Sequence, residues 1–206
     1  MYEDTIEKIK KIEHGFKETE HAANLIVSNH SETACFLLAK QYYQSEHYQV
    51  RSLAAFICGA ISSRLYESLI FLKDEVALDT SWQVQEVLAQ AFDRFCYDQG
   101  YENSLPIMDE WLNHSNPNVR RAVTEGLRIW TGRDYFRQNP DEAIKLLANL
   151  RDEPSEYVRK SVGNALKDIS KKHGALVEAE LQTWDVSPKA VQQVYKLARK
   201  HLDNRL

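Results

Sequence analysis

Four stretches of the chain carry the same pattern of apolar and polar positions, each anchored on a valine. They read HYQVRSLAAFICGAI, SWQVQEVLAQAFDRF, NPNVRRAVTEGLRIW and SEYVRKSVGNALKDI, and their anchors are Val50, Val84, Val119 and Val158. The anchors are 34, 35 and 39 residues apart. Small or apolar residues return at the third, fourth, seventh and eighth positions after each anchor, which is the stripe of a helix buried on one side. RLYESLIFLKDEV, NSLPIMDEWLNH and PDEAIKLLANLRD lie between these stretches and are also helical in period. One such pair cannot bury its stripe alone, and stacking its neighbours makes a continuous core. The pattern predicts an all-α, right-handed α-solenoid of roughly five to six HEAT-like helix pairs, with a concave face. It predicts a single repeat domain over 1–206.

Capping residues place the helix starts. Asn116-Pro117 puts an acceptor ahead of a first-turn proline, Thr80 with Gln83 has the spacing of a capping box, and Ser155 precedes the fourth stretch. Gly15, Gly100, Gly132 and Gly174 are expected breaks, and Ser187-Pro188 opens a last helix over 188–203.

A second strip runs along each anchored helix, away from its apolar stripe. The positions two after the valine are Ser52, Glu86, Arg121 and Lys160, and those six after are Phe56, Gln90, Glu125 and Asn164. Two before it stand Tyr48, Trp82, Pro117 and Glu156. Trp82 and Glu86 are one turn apart, so indole and carboxylate stand side by side. Such a pair suits a cation, or a glycosidic transition state that gains positive charge. Arg121 and Lys160 suit phosphates, and Arg128, Lys167 and Lys171 extend the cationic end. A plainer reading stays open, with Trp82 a partly buried packing residue and Glu86 a solvated helix charge. Arg120 and Arg159, directly after their valines, are expected to tie neighbouring repeats together.

Charge sharpens this picture. Residues 1–115 hold 9 Lys/Arg against 18 Asp/Glu, whereas 116–172 hold 12 against 8. A surface for anions therefore belongs to the C-terminal half. No apolar run has the length of a membrane span. The N-terminus lacks an apolar signal region. Cys35, Cys58 and Cys96 sit among apolar residues without metal-ligand spacing, as expected of buried thiols in a reducing cytoplasm. The seven histidines are scattered, no nucleotide-binding glycine motif occurs, and neither metal nor organic cofactor is expected.

NPNVRRAVTEGLR and LRDEPSEYVRKSVGNALKDISKKHG resemble the bacterial DNA alkylation repair family, the HEAT-like repeat DNA glycosylases of AlkD and AlkC type. The resemblance is clear over about 80–172. It implies a protein that grips alkylated duplex DNA and releases cationic N-alkylated purines such as 3-methyladenine and 7-methylguanine, and a monomer is expected. It implies catalytic roles for Trp82, Glu86 and Arg121, and together with the cationic strip it leads to expected backbone contacts from Arg121, Arg128, Lys160, Asn164, Lys167 and Lys171. Glu86 stands where an AlkD-type site has an aspartate, and Asn164 where it has a second tryptophan. The alternative is a family member without glycosylase activity that binds DNA or protein.

Overall fold

A computed structural model describes residues 2–203. Among them the regular structure is all helical, with no strand. The chain packs as two compact units, divided after Gly100.

The first unit holds α1 (Glu3–Ile9), α2 (Lys17–Asn29), α3 (Glu32–Tyr43), α4 (Tyr48–Ile61), α5 (Tyr66–Asp74) and α6 (Trp82–Gln99). Its centre is α4, which packs against α2, α3, α5 and α6. The run from Leu53 to Ile61 is buried along its whole length, as befits a helix apolar on all sides. One consequence departs from the sequence reading. Ser52 and Phe56 belong to the expected open strip, yet they are 1% and 7% exposed. Phe16, at the start of α2, stacks edge-on against Phe56 at 6.4 Å, so the N-terminal segment covers this part of α4. Gly15 makes the turn into α2 with φ +85°, a conformation open mainly to glycine.

The second unit holds α7 (Leu105–Leu112), α8 (Pro117–Gly126), α9 (Asp134–Gln138), α10 (Pro140–Ala148), α11 (Glu156–Leu181) and α12 (Lys189–Arg199). Here α11 is central and packs against α8, α10 and α12. Trp111, Trp130 and Phe136 are the largest fully buried side chains of this core. α11 is bent at His173, where the backbone leaves helical geometry (φ −123°, ψ 46°), one residue before the expected break at Gly174. The last helix ends at Arg199, short of the expected 203.

The valine register is regular in both units. Val50, Val84, Val119 and Val158 are all buried, and every anchored helix begins two residues before its valine. The side chain five residues before the valine accepts from the N–H three before it. The pairs are Ser45 Oγ with His47 N (3.2 Å), Asp79 Oδ1 with Ser81 N (2.8 Å), His114 Nδ1 with Asn116 N (3.1 Å) and Glu153 Oε1 with Ser155 N (3.0 Å). This local turn sets where the helix starts. It displaces the expected Thr80–Gln83 capping box: the residue ahead of α6 is Ser81, and Gln83 Oε1 accepts from Ser81 Oγ at 2.8 Å. Asn116 caps as expected, accepting from Asn118 N at 2.9 Å. Ser155 stands at the cap of α11 without a side-chain cap bond.

Candidate nucleic-acid interface

The arginine that follows three of the four valines is structural, as expected of Arg120 and Arg159. Arg120 donates to the carbonyls of His114 and Ser115 and makes a two-pronged bond to Glu153, at 2.8 and 2.5 Å. Arg51 does the same with Ser45, Glu46 and Asp79. Arg159 takes the carbonyls of Glu153 and Pro154, and its forward partner is Gln193 Oε1 at 2.7 Å. Each guanidinium thus ties the loop before its own helix to the next repeat, and in two cases its partner is the carboxylate that sets the next helix start. Planar, two-pronged donation suits arginine to this place. The carboxylates Asp79 and Glu153 were missed in the sequence, although both stand five residues before an anchor valine.

The candidate site residues divide between the units. In the first, Trp82 opens α6 and is 61% exposed, and Glu86 stands one turn later, half-buried. Beside Trp82 lies a recess of about 90 Å³, lined also by Phe16, Tyr48 and Ser52. That is below the roughly 300 Å³ at which cavities begin to enclose a ligand of drug size.

In the second unit, Arg121 is 6% exposed, and its guanidinium lies over the Tyr157 ring at 4.3 Å. Tyr157 is a partner that the sequence reading did not name. Lys160 is exposed and paired with Glu156 at 2.8 Å. Arg128 lies within 3.3 Å of Glu125 and 3.4 Å of Asp168, and Lys171 bonds the same Asp168 at 2.6 Å. Lys167 donates to Asn164 Oδ1 at 3.1 Å. Arg128, Lys167 and Lys171 are therefore gathered around the α8–α11 contact, with Asp168 between two of the cations. Exposed pairs of this kind are weak, worth about 0–1 kcal/mol, and a phosphate can replace the carboxylate partner. Among the described residues no cluster of three or more His, Cys, Asp or Glu is placed to hold a metal. No helix of the described residues is long and apolar enough to cross a membrane.

The family model described as "DNA alkylation repair enzyme" matches residues 9–201. The chain belongs to that family. A crystal structure of AlkD2 from Streptococcus mutans is 54% identical, with a TM-score of 0.92 over 94% of this chain and 93% of that one. A Pseudomonas fluorescens alkylpurine DNA glycosylase, AlkC, solved on DNA containing an abasic site analog, shares the fold at 20% identity and a TM-score of 0.71, over 91% of this chain and 53% of that one. A Bacillus subtilis protein described as "Uncharacterized protein YhaZ" is 37% identical over 78 residues, 36% of this chain and 22% of that protein. The matched segment is thus a small part of that curated relative's length. For this family member, the repeat framework and the helical fold agree with the sequence reading.

Proposed function

We propose that this member of the alkylation repair family is a DNA-backbone-binding repeat protein that does not itself cleave the glycosidic bond. The chain 1–206 acts as one domain and as a monomer in the cytoplasm. Arg121 carries this reading. A cation that clamps a phosphate beside a lesion needs an accessible guanidinium, and this one is buried against Tyr157. Lys160, Arg128 and Lys171 remain exposed, each in an exchangeable ion pair. Replacing those pairs with phosphates gives salt-sensitive binding without placing charge at a reacting bond.

Binding to a short duplex, followed across salt concentrations, tests the reading. Three phosphate contacts give a log K against log salt slope of about −3, and alanine at Lys160, Arg128 or Lys171 reduces it by about 1 each. A salt-independent affinity, or none at low salt, sinks the proposal.

A second reading is favoured by the exposed indole of Trp82 one turn from Glu86. In it, the protein is a monofunctional glycosylase for cationic N-alkylated purines. Trp82 packs on the lesion nucleotide, Glu86 stabilises the oxocarbenium ion or orients water, and Arg121, Arg128, Lys160, Asn164, Lys167 and Lys171 hold the backbone. Release of 7-methylguanine or 3-methyladenine by micromolar protein, abolished by Glu86→Gln, establishes this reading and overturns the first.

A further inference from the structure

The turn that starts the anchored helices occurs once more, ahead of α12. Asp185 Oδ1 accepts from Ser187 N at 2.9 Å, with the same spacing as the four pairs above. Ser187-Pro188 also matches Asn116-Pro117 at the start of α8, so Ala190 takes the place of the anchor valine. α12 begins at Lys189, one residue before Ala190. It lies beside α11 much as α11 lies beside α8, and runs in the same direction. Thr124 bonds Ser161 at 2.9 Å and Arg128 lies 3.4 Å from Asp168 further along. Likewise Arg159 bonds Gln193 at 2.7 Å, and one turn on a Cβ at Gly163 would meet Leu197. Val191, 4% exposed, stands where the other helices carry the tying arginine.

This register puts Gln192 and Lys196 two and six residues after the anchor position, in line with Lys160 and Asn164 on α11. Both are exposed. Lys160, Arg128 and Lys171 each face a carboxylate, whereas among the described residues Lys196 makes no ion pair. A phosphate at Lys196 therefore displaces no carboxylate. We infer that α12 carries a fourth backbone subsite, in which Lys196 Nζ donates to a phosphate oxygen and the Gln192 amide N–H to the same group. The inference rests on the backbone-binding reading, and it lengthens that surface by one helix within the second unit.

Binding of the full chain to a short duplex, followed across salt concentrations in wild type and variants, tests it. The wild-type log K against log salt slope is expected about 1 steeper than three contacts give. Lys196→Ala, at an exposed position, lowers the slope by about 1 and weakens binding roughly tenfold at about 0.1 M salt. Lys196→Arg keeps the charge and keeps the slope. Lys145→Ala is the control for net charge, because Lys145 is exposed in the same unit but stands on α10, which carries no anchor valine. Its slope stays at the wild-type value. A slope unchanged in Lys196→Ala while Lys160→Ala lowers it overturns the inference, and so does an equal fall in Lys145→Ala; either result leaves the backbone-binding reading standing. Wild-type binding that shows no salt dependence, or no binding at low salt, sinks both.

Discussion

Two adjacent arginines, Arg120 and Arg121, are both buried, and they are not interchangeable. Arg120 satisfies its guanidinium with two carbonyls and the carboxylate of Glu153, whereas the Arg121 guanidinium lies over the Tyr157 ring. Arg120→Ala leaves the Glu153 carboxylate buried with its strongest partner gone, and should cost about 3–5 kcal/mol in urea unfolding. Arg128→Ala, at an exposed pair, should cost less than about 1 kcal/mol in the same assay. A loss at position 120 no larger than that at 128 would show that the repeat tie contributes little. The cysteines give a second check at this scale. Cys35, Cys58 and Cys96 are all buried thiols, and burial pushes those of Cys35 and Cys58 up from their ordinary values. The thiolate is the reactive form. None of the three should react with a thiol reagent at neutral pH until the protein is unfolded, and fast native labelling would contradict their burial.

At the scale of the helix, close approach is set by glycine. A Cβ at Gly59 on α4 would lie 2.7 Å from the Ala91 backbone on α6, and one at Gly163 on α11 would lie 2.6 Å from Leu197 Cβ on α12. Gly59→Ala should therefore destabilise by about 1–3 kcal/mol through overpacking, despite alanine's better helix propensity. Gly163→Ala meets Leu197 Cβ, which the α12 backbone holds in place, and the Val194 carbonyl at 3.2 Å, so a loss of similar size is expected; thermal melts of the two variants check both. The helix starts were legible because the valine register repeats, and Asn116-Pro117 capped where expected. The Thr80 capping box was not, because the accepting group is the Asp79 side chain, one residue earlier. Spacing alone cannot choose between neighbouring acceptors when both fit a turn.

For the whole molecule, charge is divided along the chain. Residues 1–100 carry 9 Lys/Arg and 15 Asp/Glu, and 101–206 carry 17 and 15. DNA affinity should accordingly fall steeply as salt rises, and it should depend on Lys160, Arg128 and Lys171 rather than on the lysines of the N-terminal helices. Alanine substitution at Lys11 and Lys17, with no change in the salt slope, is the matching control.

The sequence by itself determined the helical repeat, its valine register, the family, and the tying role of Arg120 and Arg159. Those follow from periodicity and from local geometry, which a linear pattern records. Tertiary structure alone decided which residues of the second strip remain open. Ser52 and Phe56 share their register positions with Lys160 and Asn164, yet α2 folds over the first pair and nothing in the helical period announces it. Arg121 likewise is a strip residue by register and a buried one in fact, because Tyr157 of another helix supplies a ring at the right distance. Exposure depends on what a distant segment packs against, and that is a property of the folded chain.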